Sequence, residues 1–544
     1  MNDSILVAYA SRAGSTAGVA EAIGHYARIV HYRQGDETLS IRTNFFQSLA
    51  VCAVLALNFK LLAKTGLAKS VPDSTSYEQI DAYVEQQMRR LNIPSVSLAI
   101  VKGDQIVHLR DFSQAGPGGE APSPQTPFVL GSTTKSFTAL AVMQLVEAGK
   151  IELDAPVQRY LPWFRVADPR AAAQMTVRHL LYQTSGLPML PGMINLADLD
   201  DSPGAAERQA RALSTLKLTR QAGSAFEYSN LNYNLLGLIV EAASGESYAD
   251  CIQHHIFTPL GMSRSYTSQA EAKQNGLAVG HRYWFAIPVA VHDLAISRGS
   301  LPSGQLISSA EDMAHYLIAH LNGGRYGDTH ILSPAGIAEL HRGAAEFRAM
   351  GVSVGEYGMG WVITDIGQTK AVWHSGNVPD FSSYIALLPE QKKGVVLLVN
   401  ADHYGLLPVL AEVGLCVTAL LAGRQPAPIR LGFIPWVWRA LLLIPLLQVA
   451  GAVATLRRLR RWRQGPALRP SRGRLWGRHL LLPLIPNLAF AAIPVLLRGR
   501  GLLRYLRLYN PDVYWIALIG GGFAGIWSFL RTGLILQTMR KPWA

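Results

Sequence analysis

The spacing of hydrophobic positions along this chain changes several times, and the changes mark out its parts. Residues 77–91 read as an amphipathic helix. Residues 95–101 and 105–112 alternate apolar and polar side chains around Lys102-Gly103-Asp104, which predicts a hairpin with glycine in the turn. Within 128–151, Phe137, Leu140, Val142 and Leu145 recur at helical spacing. Residues 150–345 are expected to be mostly helical, punctuated by Pro162, Pro188 and Pro203. Short strand-like runs return at 359–364, 371–374, 383–388 and 394–400. A hairpin early, several strands late and helices between them predict an α+β fold. Its single antiparallel sheet would be assembled from both ends of the domain and flanked by helices, with a helical subdomain.

Longer apolar runs lie outside this region. Residues 45–59 follow Arg42 and precede Lys60 and Lys64. That length fits a signal-peptide core, with Gly66-Leu67-Ala68 as a cleavage site, or an uncleaved anchor reaching about residue 68. Runs at 431–456, 475–497 and 513–536 are each long enough to cross a bilayer, and the prolines and glycines within them are tolerated there. At 544 residues the chain is too long for one compact domain. It is expected to divide into a fragment at 1–40, a signal peptide or anchor at 41–70, a soluble domain at 71–425 and a transmembrane α-helical region at 426–544.

Charge sharpens that division. Residues 431–544 hold 17 Lys/Arg against Asp512 alone, a balance of +16; set against a total of +13, this leaves −3 for residues 1–430. Basic residues among long apolar runs indicate membrane topology and not nucleic-acid binding. Residues 457–478 carry nine arginines and no acid, which marks this loop cytoplasmic. The soluble domain would then lie on the exocytoplasmic side of a bacterial-type cell membrane, in a multi-pass protein.

The three cysteines, Cys52, Cys251 and Cys416, are far apart in apolar surroundings and suggest neither a disulfide framework nor a metal site. Residues 1–24 resemble the first strand and phosphate loop of flavodoxins, with Ser11, Gly14, Ser15 and Thr16 in the matching places. Residues 26–44 do not continue a strand–helix alternation, so a complete flavin domain is not expected. No cofactor is expected.

Candidate chemistry centres on Ser132 and Lys135, three apart at the start of the 128–151 stretch. Side chains three apart on a helix are neighbours on one face. A helix beginning here would set the hydroxyl beside the amine and at the positive end of the helix dipole. A desolvated lysine with a lowered pKa can act as the base that a serine nucleophile needs. Two further stretches fall in order after it, Tyr228-Ser229-Asn230 and His374-Ser375-Gly376-Asn377.

With these three motifs the sequence resembles the serine β-lactamase-related family, which includes class C β-lactamases, penicillin-binding carboxypeptidases, esterases and D-aminopeptidases. The stretches at 179–188, 233–245, 259–265 and 357–361 also look like that family, and the resemblance covers about residues 75–420. It implies a β-lactamase/transpeptidase-like fold and a serine hydrolase working through a Ser132 acyl-enzyme on an amide or ester. Lys135 and Tyr228 would move protons. Asn230, His374, Gly376 and Asn377 would bind substrate, with Gly376 leaving room for its backbone. The peptide N–H groups of Ser132 and Asn377 would form the oxyanion hole. Many relatives have lysine where His374 stands, and a histidine is charged only part of the time near neutral pH. Strong recognition of a penicillin carboxylate is therefore not expected. The implied partners are a small-molecule or peptide substrate, cell-wall derived in the peptidase case, and the lipid bilayer. The competing reading is a ligand-binding sensor or scaffold at the membrane.

Overall fold

Strands near the end of the soluble region are apolar at almost every position, a pattern that suits strands covered on both faces. The computed structural model describes residues 77–540, apart from 115–121, 295–296, 350–351, 404, 406, 427–428, 430–433, 466–469 and 499–500. The flavodoxin-like fragment at 1–40 and the apolar run at 41–70 lie outside the described residues.

Helix α1 (Tyr77–Leu91) leads into β1 (Ser95–Lys102) and β2 (Gln105–Ser113). Helices α2 (Thr134–Glu147), α3 (Asn230–Ser244) and α4 (Ala310–Leu321) follow. Six strands then come in succession: β3 (Ala345–Ala349), β4 (Val352–Tyr357), β5 (Val362–Ile366), β6 (Thr369–Val378), β7 (Phe381–Leu388) and β8 (Lys393–Val399). Helix α5 (Leu407–Leu421) completes the layer. The eight strands form one antiparallel sheet in the order β2-β1-β8-β7-β6-β5-β4-β3. The early hairpin thus docks on the last strand, with Leu98 opposite Leu397 and Ile100 opposite Val395.

Side chains alternate across the sheet and feed two separate cores. Val396, Leu398, Ile385 and Val372 pack against Leu140 of α2, Leu236 of α3 and Leu317 of α4. Val395, Leu397, Tyr384 and Trp373 face the other way, against Val84 of α1 and Val417 of α5. The result is helices, sheet, helices in three layers. Strands β3 and β4 are absent from the sequence expectation, although apolar Ala345, Phe347 and Ala349 alternate with Glu346 and Arg348 along β3. Their polar side chains suit a sheet edge, where Glu346 and Arg348 pair at 2.9 Å. A second hairpin, Gly280–Trp284 with Ile287–Val291, interrupts the region expected to be mostly helical.

Three helices, Pro435–Gln464, Leu475–Arg498 and Pro511–Thr538, are long and apolar enough to cross a membrane. The Trp438 ring packs on His403 of the soluble region at 4.5 Å between centroids. At the other end Leu459, Trp462, Leu475, Leu480 and Ile535 cluster beside the arginine-rich turn. The sheet domain and the arginine-rich stretch therefore sit at opposite ends of these helices.

Inside the core, His320 Nδ1 lies 3.1 Å from His341 Nε2, and both rings pack edge-on to Trp361. Burial pushes His320 well below the usual imidazole value and His341 down to about 3. Both folded values lie below the unfolded one, so between them the unfolded chain binds more protons. Stability then rises with pH across that window and is lost as pH falls from about 6.5, by at most about 1.4 kcal/mol per pH unit for each group. We expect the urea midpoint of the detergent-solubilised protein to drop steadily between pH 6.5 and 4.5, and a flat profile would contradict this assignment.

Candidate active site

The Ser132 hydroxyl is placed by a 3₁₀ turn, Gly131–Thr133, that runs straight into α2. Ser132 therefore precedes the α-helix, where the sequence suggested it would begin one, yet it keeps its place at the positive end of the dipole. The turn is pinned from beneath: Thr133 Oγ1 donates to the Leu130 carbonyl at 2.9 Å and lies 3.0 Å from Ser383 Oγ of β7. One helical turn on, Lys135 reaches back so that its Nζ stands 3.0 Å from Ser132 Oγ. The same nitrogen donates to Asn230 Oδ1 at 2.8 Å and to the Ser303 carbonyl at 2.6 Å.

Lys135 is completely buried, and none of these three partners carries a charge. Desolvation drives its pKa well below the usual lysine value. An uncharged amine has a lone pair, and 3.0 Å is within reach of the serine proton.

Tyr228 and Asn230 flank the start of α3, whose first residue is Asn230. Ser229 between them is held on both sides. Its N–H donates to Gln183 Oε1 at 2.9 Å, and its Oγ donates to the Pro188 carbonyl at 3.0 Å. The Tyr228 ring lies with its centroid 5.0 Å from Lys135 Nζ and 6.4 Å from the His374 ring. The sequence-selected hydroxyl, amine, phenol, amide and imidazole thus converge on one place, from segments more than 200 residues apart.

The third stretch lies on β6. His374 is buried, and both ring nitrogens face protein atoms: Nδ1 donates to the Ser375 carbonyl at 2.7 Å, and Nε2 faces the Tyr357 hydroxyl at 3.4 Å. Burial, with nearby Lys135 adding to it, pushes His374 down to about 3. The ring is therefore uncharged throughout the physiological range, not partly charged as an ordinary histidine would be.

Gly376 also differs from expectation. A Cβ there would stand 2.0 Å from the Leu130 carbonyl and 3.0 Å from the Ser132 nitrogen. The space it leaves is taken by the serine turn and not by room for a substrate backbone. The approach is reciprocal, since a Cβ at Gly131, which has φ +58°, would stand 2.4 Å from the Asn377 nitrogen. These glycines bring the peptide N–H groups of Ser132 and Asn377 to adjoining segments. The Asn377 side chain points elsewhere, donating to Ser382 Oγ at 3.1 Å and to Asp402 Oδ1 at 2.8 Å. Asp402 is buried, which pushes its carboxyl up to about 7.

Sequence reasoning missed the Ser303 carbonyl, Tyr357, Gln183 and Asp402. A carbonyl leaves no signature in a sequence. Gln183 and Tyr357 do fall in the supporting stretches at 179–188 and 357–361. Nothing in the pattern marks Asp402.

The family model described as Beta-lactamase matches residues 80–415. Protein flp of Staphylococcus aureus (strain MW2) is 28% identical over 340 residues, covering 60% of this chain and 64% of that protein. This chain therefore spans just under two thirds of that relative's length. Penicillin-binding protein 4 of Amycolatopsis lactamdurans is 30% identical over 319 residues, covering 57% of this chain and 81% of that protein. Among solved structures, the octameric penicillin-binding protein homologue from Pyrococcus abyssi matches with a TM-score of 0.55 at 29% identity, over 67% of this chain and 81% of that one. The matched region holds all eight strands of the sheet and every residue of the Ser132 cluster, and on this ground the chain belongs to the Beta-lactamase family of serine hydrolases and penicillin-binding protein homologues.

Proposed function

We propose that the protein is a membrane-anchored serine hydrolase that cleaves an ester or amide through a Ser132 acyl-enzyme on the exocytoplasmic side. The observation that carries this reading is the fully buried Lys135 amine held 3.0 Å from the Ser132 hydroxyl. A protein that only bound a ligand would gain nothing from keeping a desolvated base at that distance.

In this reading Ser132 Oγ attacks the substrate carbonyl carbon while its proton passes to Lys135 Nζ. The oxyanion is held by the peptide N–H groups of Ser132 and Asn377. The bond to the leaving group breaks, and that group takes the proton by way of the Tyr228 hydroxyl. Water then attacks the acyl ester, releasing a carboxylic acid, and a proton returns to Ser132 Oγ. An uncharged His374 offers no cation for a carboxylate at the third motif, which favours ester and amide substrates that do not need one. The arginine-rich turn at the far end of three apolar helices supports the exocytoplasmic assignment.

A fluorophosphonate probe should label the purified full-length protein, and Ser132→Ala should abolish labelling. No labelling of the wild type would instead favour a sensor or scaffold.

The pH profile should report Lys135. The amine is active only when uncharged, so kcat/KM should fall as pH drops through its lowered pKa, an acid limb far below the usual lysine range. His374→Gln should leave the position of that limb unchanged, whatever the rate, because this ring is uncharged across the range. A limb that moves with His374 would reverse the assignment.

Gly376→Ala should lower kcat by about 10²–10³, the cost of a displaced oxyanion donor, because its Cβ would push β6 away from the serine turn. Single-turnover kinetics would separate this loss from weaker binding.

A further inference from the structure

We propose that the substrate is a membrane-borne amphiphile, presented to Ser132 from the bilayer surface with its tail in the outer leaflet and its scissile ester or amide at headgroup depth. This rests on the hydrolase reading and on membrane anchoring.

One wall of the site is built onto the membrane region through helix Met189–Leu196. Its inner side covers the second motif. A Cβ at Gly192 would stand 3.0 Å from the Asn230 nitrogen, and Glu227 Oε1 accepts the Met189 N–H at 3.0 Å. Its other side meets the link between the second and third apolar helices. A Cβ at Gly501 would stand 2.8 Å from Ile194 Cγ2, and Arg504 pairs with Asp198 at 3.7 Å.

The opposite wall has the same foundation. Asn377 is held by Asp402, and the next residue, His403, reaches the third apolar helix. His403 Nδ1 accepts the Gly405 N–H at 3.0 Å, so Nε2 carries the proton and donates it to Asp512 Oδ1 at 3.1 Å. Asp512 Oδ2 accepts the Phe285 N–H at 3.1 Å from the tip of the 280–291 hairpin. Both walls therefore stand on the same ends of the three helices, around residues 435–440, 501–504 and 511–513. A bilayer spanned by these helices would have its surface directly beneath the site.

The exposed apolar side chains point to the same surface. Among the described residues before 434, the large hydrophobics left exposed are Met189, Leu199, Ile287 and Val289, with 39–57% of each accessible. All four belong to the helix-189 segment or the 280–291 hairpin, the two segments docked on the membrane region. Such side chains are stable when they enter a headgroup layer. Helix Leu502–Tyr509 buries Leu502, Tyr505 and Tyr509 and leaves Arg504 and Arg507 exposed, as a helix lying along a membrane surface does. A site at this level is poorly placed for large soluble substrates and well placed for a lipid whose tail remains in the leaflet.

The test compares two fluorophosphonates on the full-length protein in phosphatidylcholine vesicles. One carries a hexadecyl chain that inserts in the bilayer, and the other a water-soluble polyether. Each reads a single covalent event at Ser132, so no leaving-group preference intervenes. The hexadecyl probe should label at least tenfold faster at equal total concentration, with a rate that follows its mole fraction in the membrane. In the triple variant Leu199→Asp, Ile287→Asp, Val289→Asp the ratio should fall towards one while the soluble probe labels at the parent rate. Labelling by the soluble probe at an equal or greater rate in the parent overturns this inference and leaves the hydrolase reading intact. Labelling by neither probe removes the hydrolase reading, and failure of the protein to float with vesicles removes the anchoring, each taking the inference with it.

Discussion

A lysine sealed from water with only uncharged partners cannot hold its proton as an exposed lysine does, and the arrangement of the soluble domain keeps Lys135 in that condition. Its three acceptors come from three places: the turn before α2, the first residue of α3 and the carbonyl of Ser303. Displacing any one would admit water or leave a buried donor without a partner, at a cost of about 1–3 kcal/mol. The helical layer thus has two tasks, to bury apolar surface against the sheet and to exclude solvent from one nitrogen. The His374 ring nearby is itself uncharged, so neither group brings an unpaired charge into the cluster.

The sheet determines what lies over that nitrogen. Strand β6 runs against the serine turn because Gly131 and Gly376 let two backbones meet closer than any side chain permits. Strand β7 holds the turn from below through Ser383. These strands are central, with β8, β1 and β2 beyond them on one side and β5, β4 and β3 on the other. A central position matters because both faces are packed and the register is fixed: a slip of one residue would exchange the two cores. The early hairpin completes β8 as a central strand, so residues 95–113 steady a site to which they contribute no side chain.

Much of this was legible in the sequence for a physical reason. The strands of the central sheet and the amphipathic α1 announce themselves because solvent and core impose different side chains at fixed periods. Ser132, Lys135, Tyr228, Asn230 and His374 were legible as an ordered set, although nothing in any one of them distinguishes it from an ordinary polar residue. What failed to show was whatever depends on proximity. Gly376 looks the same whether it makes room for a substrate or for the Leu130 carbonyl. His374 reads as a half-charged ring until burial is known. Strand β3 sits at the open edge, and its alternation of Ala345, Phe347 and Ala349 with charged residues is too short to stand out. Asp402 and Asp512 are isolated acids in the sequence, and each acquires a role only through what the fold places against it.

Asp512 shows how far that role extends. It is the single acid among the 114 residues from 431 onward, at the first turn of the last apolar helix, and it is completely buried. A buried carboxylate is costly unless it is held, and three donors hold it: His403 Nε2, the Phe285 N–H and its own helix through the Val513 N–H. Two of these belong to the soluble domain. The one acid of this helical region is therefore held by the residue next to Asp402, and Asp402 in turn positions Asn377 beside the serine turn. Detaching the soluble domain from the helices would leave a buried carboxylate short of partners at one end and a loosened β6 at the other. That shared dependence makes the helices part of the site's foundation.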